Sequence, residues 1–120
     1  MAKILIVEDE PNMVAGLRDN FEFEGYEVIT APDGLSGLNR ALHESPDLIV
    51  LDVMMPRMNG SELATNFQRM QPGTPVLLMS GYMDEMTVRR SFKEPDAVLA
   101  KPFTAEALLT RVRELIGAAR

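Results

Sequence analysis

The sequence has no cysteine and no tryptophan, and only 6% of its 120 residues are aromatic. Without cysteine there is neither a disulfide framework nor a thiolate metal site, so the fold must rest on its own apolar core, which a chain of this length can build. No apolar run approaches the ~18 residues of a membrane helix, and the first residues lack the charged-then-apolar order of a secretory signal. Linker-like Gly/Ser/Pro tracts, repeats and low-complexity segments are missing too. These absences lead to the expectation of one domain spanning residues 1–120, cytoplasmic and without membrane contact. Positive charge is scarce where acid is dense. Residues 1–60 carry 11 acids against 4 bases, residues 61–120 carry 7 against 8, and the formal charge is −6. Neutralising nucleic-acid phosphates takes a lysine/arginine patch, so direct binding to nucleic acid is not expected.

What is present is an alternation of short apolar runs and longer amphipathic stretches. Ile4-Leu5-Ile6-Val7, Leu48-Ile49-Val50-Leu51 and Val76-Leu77-Leu78-Met79 are continuous runs of strand length, as in parallel strands covered on both faces. Glu27 to Ala31 and Ala97 to Ala100 are weaker strand candidates. Between them, Met13, Val14, Leu17 and Phe21 share a helical face that ends at Gly25, a residue suited to the left-handed position after a helix. Leu35, Leu38 and Leu42 share a face behind the candidate cap Asp33. Leu63, Phe67 and Met70 mark a third helix, stopped by Pro72-Gly73. Met83 to Phe92 is a shorter, poorly periodic fourth. Leu108, Leu109, Val112, Leu115 and Ile116 line a fifth, capped by Thr104. The order is (βα)5, which predicts a doubly wound α/β fold with a five-stranded parallel sheet and five helices.

Ligands of such sheets gather beyond the carboxyl ends of the strands. There the sequence places Glu8-Asp9-Glu10, then Asp52, Ser80-Gly81 and Lys101-Pro102. The second strand ends in Ala31-Pro32 and offers no chemistry. Two carboxylates 4 Å apart repel by roughly 4 kcal/mol at an effective dielectric of 20, so a proton, Lys101 or a bound cation must compensate. Mg2+, which takes one or two carboxylates and fills its shell with water and phosphate oxygens, suits that rim. A carboxylate beside such an ion is a competent nucleophile toward phosphorus.

The strings Ile4-Leu5-Ile6-Val7-Glu8-Asp9-Glu10, Asp47-Leu48-Ile49-Val50-Leu51-Asp52, Met55-Pro56-Arg57-Met58-Asn59-Gly60 and Lys101-Pro102-Phe103 together resemble the receiver domain of bacterial two-component response regulators, of the CheY-like superfamily, along the whole chain. The resemblance implies the flavodoxin-like strand order 2-1-3-4-5. It also implies a phosphorylation-dependent signalling switch that is not a turnover enzyme, apart from receiving phosphate itself and losing it slowly. Asp52 would be the phosphoacceptor, supplied by a histidine kinase, a histidine phosphotransferase or a small donor. Asp9 and Asp52 would ligate Mg2+ (with Mn2+ as a substitute), joined by the backbone carbonyl of Met54 and, through water, by Glu8. Lys101 would pair with Asp52 and then with the phosphoryl oxygens, Ser80 would donate its hydroxyl, and the Lys101-Pro102 bond would be cis.

The partner surface, for a downstream protein or an output domain not contained in these 120 residues, is expected on the fourth helix, fifth strand and fifth helix. Arg89, Arg90, Lys93, Arg111 and Arg113 make that half basic. The sequence departs from the common pattern at Val98, where many receivers carry an aromatic switch residue. Tyr82 in Ser80-Gly81-Tyr82 is the alternative switch aromatic, against the blander reading of an exposed loop side chain. Met54 and Tyr82 are bulky neighbours of the expected phosphoryl site, which points to a long-lived phosphorylated form. His43, alone of its kind, reads as a surface residue, Asn59-Gly60 as a turn, and Glu10 as pointing away from any metal.

Other functions fit less well. An aspartate-nucleophile phosphohydrolase would place a second acid two residues after its nucleophile, where this chain has Met54. A nucleotide or flavin module would need a glycine-rich loop after the first strand or a GxxxxGK[ST] string, and both are missing. A pseudo-receiver, folded but never phosphorylated, is disfavoured by the intact Asp9, Asp52, Ser80 and Lys101.

Overall fold

The computed structural model describes residues 2–52, 60–80 and 97–117, with the side chains of residues 60–64, 80 and 97 left aside. Five parallel strands, β1 (Lys3–Val7), β2 (Glu27–Ala31), β3 (Leu48–Asp52), β4 (Val76–Ser80) and β5 (Ala97–Ala100), form one sheet in the order β2-β1-β3-β4-β5. The helices α1 (Pro11–Phe23), α2 (Gly34–Glu44) and α3 (Gly60–Met70) and a last helix (Ala105–Ile116) complete the described elements. The Met83–Phe92 segment, expected as a further helix, lies outside the described residues.

The continuous apolar runs are explained by cover on both faces. Successive strand residues point to opposite sides. Leu5, Val7, Ile49, Leu51 and Leu78 meet Ala41 of α2 and Phe67 of α3. Ile4, Ile6, Leu48, Val50 and Leu77 meet Leu17 and Phe21 of α1 and Leu108 and Val112 of the last helix. All ten of these strand residues are fully buried.

Helix boundaries follow local chemistry. Asp33 accepts from Ser36 N at 2.8 Å and Thr104 from Ala107 N at 3.0 Å, each satisfying an amide that the first turn leaves unpaired. Gly25 takes a φ of 100° after α1, as expected of a residue without Cβ.

One helical face is the reverse of its expectation. Leu35 and Leu42 of α2 are 76% and 58% exposed, and Met70 at the end of α3 is 40% exposed. The buried side of α2 is made of Gly34, Gly37 and Ala41. A Cβ at Gly37 would stand 2.9 Å from Val7 Cγ2 and 3.4 Å from Phe67 Cζ. The helix lies too close to the sheet for leucines, so they turn outward and only Leu38 is half-buried against the core.

The strand order reverses direction at β1 and β3, which lie side by side in register from Ile4↔Leu48 to Val7↔Leu51. A switch point of this kind opens a crevice beyond the carboxyl ends of the two strands. Glu8 follows one strand and Asp52 closes the other.

Candidate functional site

Asp52 is the last residue of β3 and is 5% exposed. Lys101, immediately after β5, sends Nζ to within 2.8 Å of Asp52 Oδ2. The two residues are 49 positions apart, at the ends of strands separated by β4. The Lys101-Pro102 peptide bond is cis.

Glu8 is the more unusual acid. Its amide still donates to Ala31 O at 3.1 Å, so the chain remains strand-like one residue past β1. The side chain is 3% exposed. Its Oε1 accepts from the amides of Asp9 (3.1 Å) and Glu10 (3.2 Å), whereas Oε2 is buried without a hydrogen-bond partner. Burial first, and then the hydrogen bond and charge of Asp52, push the Glu8 carboxyl up to about 8. Two ionised carboxylates cannot hydrogen-bond to each other. A proton kept by this pair lets one carboxyl donate to the other.

Asp9 and Glu10 are exposed. Glu10 is committed elsewhere, since its Oε2 accepts from Met13 N at 2.7 Å and caps α1 ahead of Pro11. Sequence reading placed Glu10 away from the metal without seeing this cap, although an acid directly before a proline that opens a helix is a recognisable signal. It also assigned Glu8 only a supporting place. The signal for its burial was the period of two running through Ile4, Ile6 and Glu8.

The remaining site residues divide by position. Ser80 closes β4 opposite Ala100, and the description of it stops at the backbone. Met54, Gly81 and Tyr82 lie outside the described residues, as do Arg89, Arg90 and Lys93. Val98 is 5% exposed and packs in the core cluster containing Phe67 and Leu78. Arg113 is exposed, and Arg111 lies 3.8 Å from Glu114 on the last helix. His43 is exposed and contacts the carbonyl of Asn39 at 2.8 Å. A cavity of about 370 Å3 adjoins the acids, with Glu8 and Asp9 at one end and Arg18 and Thr30 among its other walls.

The donor chemistry fits a hard divalent cation. Two buried carboxylates lie together with Lys101 paired to one of them, Asp52; an exposed carboxylate follows Glu8 in the chain, and one Glu8 oxygen has no donor. Among the described residues no three His, Cys, Asp or Glu side chains close on one point. Mg2+ does not require this, because it binds through one or two carboxylates and completes its shell with carbonyl, water or phosphate oxygen.

The sequence pattern of the response regulator receiver domain matches residues 4–113. The chain belongs to that family. Among curated relatives, this receiver domain is 36% identical over 115 residues to the alkaline phosphatase synthesis transcriptional regulatory protein PhoP of Bacillus subtilis, which covers 95% of the chain and 48% of PhoP. It is 38% identical over 117 residues to the response regulator ArlR of Staphylococcus aureus, covering 97% of the chain and 53% of ArlR. The receiver domain thus spans about half the length of these relatives. Among solved structures, the chemotaxis response regulator CheY4 of Vibrio cholerae superposes with a TM-score of 0.86 at 31% identity, over 96% of this chain and 98% of that one.

Proposed function

We propose that the domain is a phosphorylation-dependent switch in which Asp52 accepts a phosphoryl group from the phosphohistidine of a kinase or phosphotransferase. The observation that carries the reading is the buried Asp52 carboxylate, held by Lys101 at 2.8 Å and faced by Glu8 at the strand-order switch point.

An Asp52 oxygen attacks phosphorus in line. The new P–O bond forms as the P–N bond breaks, and the imidazole nitrogen keeps the electron pair and takes up a proton. Such a transfer depends on positioning and on stabilising the equatorial oxygens more than on acid–base help. β3 fixes the Asp52 backbone, and Lys101 moves its ammonium from the carboxylate to the phosphoryl oxygens. The Ser80 hydroxyl is assigned to the same oxygens. Mg2+, held by Asp9, Asp52 and the Met54 carbonyl and through water by Glu8, supplies positive charge to the carboxylates and the phosphoryl oxygens when bound. Attack of water on the acyl phosphate later releases inorganic phosphate and restores Asp52. This self-reset is slow on the present reading, because Met54 and Tyr82 obstruct the water.

The added charge redirects Lys101 and Ser80 at the ends of β5 and β4, a local electrostatic event that biases the neighbouring loops. The downstream partner, another protein or an output domain, is assigned to the face formed by the 83–92 segment, β5 and the last helix. No helix among the described residues is long and apolar enough to cross a membrane, which accords with action in the cytoplasm.

Incubating the domain with Mg2+ and a small phosphodonor, followed by intact mass, tests the proposal. The wild type should gain one phosphoryl group, and Asp52→Asn or EDTA should abolish the gain. Equal labelling of Asp52→Asn would refute it.

A further inference from the structure

The outward leucines of α2 are unused by the switch. Positions 35 and 42 are seven residues apart, 20° short of two full turns, so they share one line on the helix surface opposite Gly34, Gly37 and Ala41. Both are exposed at 76% and 58%, and the 40%-exposed Met70 extends the strip. Met70 stands beside the C-terminal half of α2, where the side-chain amide of the next residue, Gln71, donates to the Ala41 carbonyl.

We propose that this strip is an interface with a second copy of the same chain, formed by antiparallel pairing of α2 with α2 about a twofold axis near Asn39. Three features of the strip select a copy of itself. Its ends have opposite character: Asp33 at the N-terminal end and His43 in the last turn, while Arg40, close to the axis, is drawn off to the Thr30 carbonyl at 2.9 Å. The acid that would spoil this, Glu44, is turned away to Lys3 at 3.2 Å. Rotated by 180°, the strip brings Asp33 beside His43 of the copy, and the two helix dipoles oppose each other favourably. A partner of uniform charge would match only one end. In addition, an isologous contact needs residue i to meet j and j to meet i. Antiparallel pairing meets this by setting Leu35 against Leu42 of the second copy at both ends. Finally, Asn39 is exposed between the leucines and falls near the axis, where an amide, being both donor and acceptor, can pair with its own copy.

A helix of 11 residues is about 16 Å long. Such a strip buries less than the ~1,000 Å2 expected of a stable interface, which places the dimer in the transient class, dissociating at roughly 0.1–1 mM. The surface is separate from the Asp52 site, so the outcome does not depend on the phosphorylation reading.

Sedimentation equilibrium from about 20 μM to 1 mM tests this range. The average mass of the wild type should climb from one chain toward two. Leu35→Glu and Leu42→Lys should each lower the association constant about tenfold, as an unpaired charge meets leucine. The double variant Leu35→Glu/Leu42→Lys should recover association, because each carboxylate then faces an ammonium of the second copy. Both side chains are exposed in the monomer, so circular dichroism should show the fold intact, and recovery by the double variant excludes unfolding as the cause of the single losses. A wild type that stays monomeric at 1 mM overturns the proposal, as does a double variant no better than the singles, since that places like charges together in a parallel pair.

Discussion

Replacing Glu8 with glutamine should stabilise the metal-free domain at neutral pH, although it alters a buried group of the site. Glutamine keeps the shape of protonated glutamate and its Oε1 acceptor for the Asp9 and Glu10 amides, and its amide replaces the proton as donor to Asp52. In the wild type, the carboxyl that ordinarily titrates near 4.5 is pushed up to about 8 by burial and by Asp52. The folded pair therefore binds more protons than the unfolded chain between those values, and stability falls as pH rises across that window. Each unit of pH costs about 1.4 kcal/mol where the difference is a full proton, giving a loss of ~3 kcal/mol between pH 4.5 and 7. Glu8→Gln lacks that slope. Denaturant melts in EDTA at half-unit steps from pH 4.5 to 8.5 should show the two proteins nearly equal at the acid end and diverging by roughly 2–3 kcal/mol in favour of the variant above pH 7. Added Mg2+ should narrow the gap by stabilising the wild type more at pH 8 than at pH 5, because metal competes with the proton. Parallel stability profiles in EDTA would refute the reasoning.

Lys101→Met removes the cation paired with Asp52 and should cost about 1–3 kcal/mol, as read by the same melts. Gly37→Ala should destabilise by about 1–3 kcal/mol despite alanine's better helix propensity, because its Cβ meets Val7 at 2.9 Å; an unchanged thermal midpoint would show that α2 can lift away from the sheet. Gly16→Ala, with nothing within 4 Å of the new Cβ, should raise stability by about 0.5–1 kcal/mol in the same assay. Tyr26→Phe removes the 2.7 Å bond from the buried hydroxyl to the Gly117 carbonyl and should cost about 1 kcal/mol, with faster hydrogen exchange at the end of the last helix.

The sheet was legible in the sequence because its strands are buried on both faces, and double burial leaves a continuous apolar run that no exposed element imitates. The caps at Asp33 and Thr104 were legible for an equally local reason. α2 was not. Its leucines have the spacing of an inward face, but periodicity reports which residues share a line and not which line faces the sheet. The decision was made by Val7 and Phe67, whose atoms leave no room for a Cβ at Gly37, and that is a distance between elements. The acids show the same division. Asking what ends each strand found Asp52 and Lys101 together, yet only the structure ranks Glu8 as more buried than Asp9, because β1 continues its pairing with β2 for one more residue.

That ranking bears on how a domain can fold around the groups it needs for chemistry. Two buried carboxylates against one ammonium would oppose folding if both were ionised. Lys101 pairs with Asp52 at 2.8 Å, and a proton kept by Glu8 removes the surplus charge. The buried Glu8, Asp52 and Lys101 group therefore carries no surplus charge at neutral pH without metal. If Asp9 and Asp52 hold a divalent cation as proposed, its charge would favour the ionised form of Glu8 and displace the proton. Proton release on Mg2+ binding should accordingly approach one per domain at pH 7, measured by calorimetry in buffers of different ionisation enthalpy, and should fall to near zero in Glu8→Gln. Release that persists in the variant would assign the proton to a group other than Glu8.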